Sequence, residues 1–205
     1  MFNLQACQMT VTFFVNSYAT PTNLWCILGS LIQQTDPSWE AVVLLNHRDP
    51  LIRAEHRAIV GLMDDDRLST ADSWHDQLSW DCYWACDWAY DQGLAKGEWI
   101  CCASDDGYYM PEFVEVMAAS DADVVFCDMV MRKYLVQRRS LVNTLPKAGH
   151  IDKTGFMVRR SKWIGFPHKN QQHAGPSGAD GMAVESMVRL GYKVDKVHIP
   201  LVVHN

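Results

Sequence analysis

Hydrophobic positions fall into runs of two kinds along this chain. Thr10 to Val15 is rich in β-branched and aromatic residues and predicts a first strand, ending at the polar Asn16-Ser17-Tyr18. After Pro21 and Thr22, Leu24, Ile27, Leu28, Leu31 and Ile32 recur at helical spacing. Asp36-Pro37-Ser38 makes a turn, and Trp39 to Leu45 is a second, nearly continuous apolar strand. Strand, helix and strand in that order predict a right-handed βαβ unit with parallel pairing.

Ile59 to Met63 reads as a shorter third strand leading into Asp64-Asp65-Asp66-Arg67. Trp74 to Lys96 reads as helical in its second half, with Trp80, Trp84 and Trp88 four residues apart; such a row suits packing or, if exposed, stacking on a sugar ring. Trp99 to Ser104 is the next buried strand, followed by Asp105-Asp106-Gly107, Pro111 and a helix through Phe113, Val114 and Met117. Ala122 to Met129 is another apolar strand, and Val130 to His150 is irregular and basic. Ile151-Asp152-Lys153-Thr154 precedes a short strand, Gly155 to Val158. The polar stretch from Gly165 to Gly178 has the composition of an active-site lid or of a plain surface loop. A last helix starts at Asp180, and short strands fill Lys193 to Val203. Repeats and linkers are absent, so one α/β domain over 1–205 is expected, with a nucleotide-binding half to 106 and an acceptor half from 107.

The net charge of −6 excludes broad electrostatic attraction to nucleic acid or anionic lipid, so a phosphate-bearing partner needs a local device such as a metal. No apolar run reaches the roughly 20 residues of a membrane span. Met1 to Gln8 lacks the pattern of a signal peptide. The seven cysteines are odd in number and form no zinc-like spacing, which fits a reducing cytosol.

The chemistry concentrates at Asp105-Asp106. Ligands of open α/β sheets collect beyond the carboxyl ends of the strands, and Mg²⁺ or Mn²⁺ is commonly held there by one or two carboxylates plus phosphate oxygens. The same Asp-Asp-Gly also suits a simple turn. The acidic triplet at Asp64 to Asp66 carries the same pair of readings, metal site or solvated loop. Asp180 can cap its helix and face a cleft at once. After the first strand there is no Gly-rich phosphate loop, which argues against a nucleotidyltransferase and a dinucleotide-dependent oxidoreductase.

Four landmarks occur in a recognisable order: Asn16-Ser17-Tyr18; Ser30 to Thr35 ahead of Trp39-Glu40; Ala95 to Ile100 leading into Ser104-Asp105-Asp106 and Tyr109-Met110-Pro111; and Asp180 before Gly191-Tyr192-Lys193. With these the chain resembles the family 2 glycosyltransferases of the GT-A fold, in pattern the spore-coat polysaccharide synthesis type. The resemblance implies a mixed, mostly parallel sheet flanked by helices. It also implies inverting transfer of a sugar from a nucleotide-diphosphate donor, such as a UDP-sugar, to a carbohydrate acceptor.

On the same resemblance Asp106 is a ligand of Mn²⁺ or Mg²⁺, and Asp105, Asn16 and Tyr18 line the nucleotide pocket. Asp180 is the general base, Asp152 lies near the donor or acceptor sugar, and His204 matches the C-terminal histidine that adds a metal ligand in some relatives. The family usually has Asp-Asp-Gly-Ser after the second strand, where this chain has Leu45-Asn46-His47-Arg48; Asn46 retains a carbonyl oxygen able to accept the uracil N3–H. A catalytically silent nucleotide-binding protein of the same fold is the alternative expectation. A homodimer is left open.

Overall fold

The computed structural model describes residues 11–18, 21–74, 82–133, 138–166 and 179–204. Cys7, Trp80, most of the 165–178 stretch and the side chains of Arg132, Lys133, Arg138 and Arg139 lie outside this description.

β1 (Val11–Ser17) is buried along its whole length and sits between two parallel neighbours, β2 (Trp39–Leu45) and β4 (Trp99–Ser104). β3 (Leu68–Asp72) adds in parallel outside β2. The path through the sheet is β3-β2-β1-β4-β8-β6-β9-β5, with β7 (Arg138–Val142) paired to β6 (Val124–Lys133). β8 (Phe156–Arg159) runs antiparallel to both β4 and β6, β9 (Val194–His204) runs parallel to β6, and the short β5 (Gly107–Tyr109) closes against β9. The first four strands therefore point their C-terminal ends to one edge, and the chain reverses its lateral direction between β1 and β4.

Side chains that alternate across each strand feed two cores. Val11, Phe13 and Val15 of β1 with Trp99, Cys101 and Ala103 of β4 face α1 (Pro21–Ile32), α2 (Pro50–Leu62) and α4 (Phe113–Ala118). Phe14, Ile100 and Cys102 face the opposite layer, made by α3 (Cys82–Asp91) and α5 (Ala179–Arg189). The outcome is a helix-sheet-helix sandwich, as the βαβ reading predicts.

Three expectations need correction. Ile59 to Met63 is no strand: α2 starts at Pro50, Asp49 caps it by accepting the Leu51 N–H at 2.9 Å, and His56, Ile59 and Val60 form its buried stripe. The third strand is Leu68–Asp72, so Asp64 to Asp66 stand before β3, at the edge of the sheet away from the strand tips. There Asp65 pairs with Arg67 at 2.6 Å, and the Arg67 guanidinium covers the Trp39 ring at 4.0 Å, an anchor for a loop and not a metal site. The final segment is one strand, β9, whose register against β6 shifts between Cys127 and Met129. Trp84 and Trp88 are half-buried and stack on each other with centroids 6.3 Å apart, which is packing.

Candidate active site

The tips of β1, β2 and β4, the end of β9, the turn before β8 and the start of α5 converge on one corner. The reversal between β1 and β4 is the place where an open α/β sheet leaves a crevice. Asp105 follows β4 and is tied to β1 twice, since its backbone N–H donates to Asn16 O at 3.2 Å and its Oδ2 accepts the Tyr18 N–H at 3.2 Å. Burial, helped by the adjacent Asp106, raises the Asp105 carboxyl to about 6.

Asp106 faces outward from the same turn, with its side chain 34% exposed, into a recess of about 350 Å³ that Asn23, Cys26 and Tyr108 also line. The register of β5 against β9 sets Gly107 opposite His204, and this brings His204 Nε2 to 3.2 Å from Asp106 Oδ1 and 3.9 Å from Asp152 Oδ2. Burial opposes a charge on the His204 imidazole, yet the Asp106 and Asp152 carboxylates outweigh it and raise its pKa to about 9. His204 is thus a paired strand residue and not a frayed end.

Among the described residues no group of three or more His, Cys, Asp and Glu side chains is arranged as a metal cluster. The donor set nonetheless fits a hard divalent cation in its usual phosphate-assisted form, with one carboxylate and one imidazole from the protein and the remaining positions left to diphosphate and water oxygens.

Asp152 caps the turn before β8 through its Oδ1, which accepts the Thr154 N–H at 2.9 Å, and Thr154 Oγ1 in turn accepts the Ser104 N–H at 3.4 Å. The turn is stitched to the β4 tip in this way. Asp180, the second residue of α5, is 5% exposed, and its Oδ1 has no hydrogen-bond partner. Its placement depends on Gly181: a Cβ there would meet the Lys147 carbonyl oxygen at 2.1 Å, so only glycine lets α5 rest on the 147–148 backbone. Burial and the nearby Asp152 carboxylate raise Asp180 to about 7, against the Lys153 ammonium and the Tyr83 hydroxyl, which favour the charged form. A carboxylate with that affinity for protons, buried and with a lone pair free, is suited to take a proton near neutral pH.

At the other side of the corner, the Tyr18 ring is half exposed and packs at a tilt against His47, 5.2 Å between centroids. Asn46 is 3% exposed and its Oδ1 is unpartnered, as is Asn16 Oδ1, while Asn16 Nδ2 donates to Cys86 Sγ at 3.1 Å. Of the eight residues expected from the sequence, Asn16, Tyr18, Asn46, Asp105, Asp106, Asp152 and His204 stand on strand tips or turns at this edge, and Asp180 stands in the first turn of α5.

The sequence reading passed over His56 and Lys153. His56 Nδ1 lies 2.9 Å from Ser17 Oγ, and burial lowers its pKa so that it bonds as a neutral ring. Its signal was its place in the α2 apolar stripe, three and four residues before Ile59 and Val60. Lys153 was legible only as a charge beside Asp152, ahead of the short strand Gly155 to Val158.

No family model matches the chain, and no curated protein matches it in sequence. Solved structures do match its fold. S. aureus TarS 1-349 aligns over 96% of this chain and 60% of its own, at 16% identity and TM-score 0.72. The mannosyltransferase PcManGT from Pyrobaculum calidifontis, solved in complex with GDP-Man and Mn²⁺, aligns over 95% and 56%, at 16% identity and TM-score 0.69. TarS 1-349 has also been solved with UDP-GlcNAc, at 16% identity, TM-score 0.63 and coverage of 95% and 58%. The chain spans less than two thirds of these structures, and its fold is that of the GT-A glycosyltransferases.

Proposed function

We propose that this chain is a metal-dependent, inverting glycosyltransferase that takes a sugar from a nucleoside diphosphate, UDP by preference, to an acceptor hydroxyl. The observation that carries the reading is the pairing at one crevice of a part-buried Asp106–His204 donor set with a buried carboxylate, Asp180, whose Oδ1 is unpartnered. The neighbours of the same fold add support, since one was solved with UDP-GlcNAc and another with GDP-Man and Mn²⁺.

Asp106 and His204 would hold a divalent cation, which when bound offsets the charge that builds on the departing diphosphate. The half-exposed Tyr18 ring offers a stacking face for the base, and Asn46 Oδ1, buried with no partner, accepts the uracil N3–H. Asp105 braces the β1 tip from below through the Tyr18 N–H. Asp152, held by its cap on Thr154, lies between His204 and Asp180 and borders the donor sugar. Asp180 takes the proton from the acceptor hydroxyl as the oxygen attacks the anomeric carbon from the face opposite the diphosphate. General-base assistance of this kind is worth about 10²- to 10⁴-fold. Single displacement inverts the anomeric centre. The free thiols at Cys26, Cys82, Cys86, Cys101, Cys102 and Cys127 suit a reducing compartment such as the cytosol.

NMR of a UDP-sugar incubated with the protein and Mn²⁺ tests the proposal through its slow transfer to water. Release of UDP with the inverted sugar as first product is expected. A product that keeps the donor's configuration rules out single displacement, and binding with no release in any sugar series favours the silent nucleotide-binding protein.

A further inference from the structure

The loop from β2 to α2 carries a polar ring that the proposed function leaves unused, that of His47. It directly follows Asn46, is half-buried, and packs on the Tyr18 ring at the same end of the crevice. Its Nδ1 accepts the Asp49 N–H at 3.0 Å. A ring nitrogen that accepts carries no proton, so in the neutral imidazole the proton sits on Nε2. With Nδ1 turned back to its own loop, Nε2–H is directed away from that loop, and no described residue accepts a hydrogen bond from it. His47 therefore offers the crevice a donor and no acceptor.

The loop is braced from several sides. Arg53 Nη1 donates to the His47 carbonyl and, at 3.0 Å, to the Arg48 carbonyl. Arg53 Nε lies 3.3 Å from Asp72 Oδ1 at the end of β3, and Arg57 holds Asp72 Oδ2 at 2.7 Å. Where the loop starts, the Asn46 N–H donates to Ser17 O at 3.2 Å, and where it ends, Asp49 caps α2. A ring held in this way has little freedom left to lose when a ligand bonds to it.

Asn46 by itself does not choose between pyrimidines. Its amide accepts through Oδ1 and donates through Nδ2, so a half-turn suits it either to the uracil N3–H or to the bare N3 of cytosine. The fixed donor next to it removes that freedom. Uracil carries a carbonyl oxygen on C4 beside its N3–H, whereas cytosine carries an amino group there, and an N–H facing an N–H leaves both donors unpaired.

We propose that His47 is a specificity-determining residue of the nucleotide site: its Nε2–H donates to the C4 carbonyl oxygen beside the N3–H that Asn46 accepts, and so selects uridine over cytidine diphosphates. The proposal rests on the reading of this crevice as a nucleoside diphosphate site. What carries it is a rotatable amide and a donor-only ring side by side on one braced loop.

The test is calorimetric titration of UDP, CDP and inorganic pyrophosphate, each in saturating Mg²⁺, into wild type and His47→Phe, which keeps a ring against Tyr18 and removes the donor. Wild type is expected to bind UDP at least about tenfold more tightly than CDP, the worth of one hydrogen bond to the base. His47→Phe is expected to lose about tenfold for UDP and nothing for CDP or pyrophosphate, so that the preference vanishes. An equal loss for UDP and CDP, which a merely structural role of the ring produces, overturns the proposal. A preference lacking in wild type, or one that survives in the variant, overturns it too. If neither nucleotide binds wild type, the nucleotide-site reading falls and this proposal with it. If UDP binds wild type while the ratio of UDP to CDP affinity is the same in both proteins, only the role of His47 falls.

Should His47→Phe fail to fold, ¹H–¹⁵N NMR of the histidine rings answers the same question in wild type. The Nε2–H tautomer of His47, with a ring signal that shifts on UDP with Mg²⁺ but not on pyrophosphate with Mg²⁺, is expected. The Nδ1–H tautomer, or a ring signal that UDP does not move, contradicts the proposal.

Discussion

His204 Nε2 stands 3.2 Å from Asp106 Oδ1, so the last described residue of the chain is paired with the second acid of the β4 tip. The pairing follows from backbone register, since β9 runs antiparallel to β5 with His204 opposite Gly107. Because β9 is also hydrogen-bonded to β6, the imidazole is held by two strands and not by a loose terminus.

Replacing His204 with Ala is therefore expected to weaken Mn²⁺-dependent UDP binding by at least about tenfold, given that even outer-shell partners of a metal site cost about 10- to 100-fold when removed. Calorimetric titration of UDP in saturating Mn²⁺ measures it. Unchanged affinity would take His204 out of the metal site.

Asp180→Asn is expected to abolish turnover while making the protein more stable at neutral and alkaline pH. The sign follows from linkage: the folded Asp180 holds its proton up to about 7, whereas the unfolded side chain releases it near 3.8, so wild type loses stability as pH rises between those values. Below that window both states are protonated and the two proteins are expected to unfold alike. Above it the variant gains on the order of 1–3 kcal/mol. Thermal unfolding at acid and alkaline pH checks this, and equal stability at high pH would contradict the buried-carboxylate account.

Asn46→Leu removes the buried acceptor at the β2 tip without touching Asp106. It is expected to lower UDP affinity by about tenfold, the cost of one hydrogen bond to a base, and to leave binding of Mn²⁺ with inorganic pyrophosphate unchanged. Parallel titrations with the two ligands separate base recognition from diphosphate recognition.

At the opposite edge of the sheet, Gly97 is packed where a Cβ would stand 2.6 Å from the Thr12 backbone nitrogen. Its own N–H donates to Thr12 Oγ1 at 2.8 Å, and that hydroxyl donates to the buried Glu40 Oε1 at 2.7 Å. Gly97→Ala is expected to destabilise the fold by roughly 1–3 kcal/mol, by overpacking, with activity per folded molecule retained. Denaturant unfolding paired with active-site titration is the check.

The strands that carry the nucleotide side of the crevice were legible in the sequence because they are continuous apolar runs ending in polar tips, and Asp105-Asp106 stands out at the end of one. α2 was not, because the β-branched pair Ile59-Val60 looks like a strand in a short window, and the Asp49-Pro50 start that identifies a helix lies ten residues earlier. β5 has three residues and exists only because β9 comes to meet it. The same long-range pairing decides the fate of His204, and no local pattern reports it. Lys153 was hidden for a related reason: lysine is ordinarily exposed, and only the packing of α3 and α5 over the turn before β8 turns it into a buried charge.

The central claim is that a nucleoside diphosphate binds at the β1–β4 crevice through a cation on Asp106, and calorimetry of UDP with wild type and Asp106→Ala, each with and without Mn²⁺, tests it most directly. Tight binding that needs both the metal and Asp106 is the result expected. UDP binding of equal strength in all four titrations, or none in any, would contradict it.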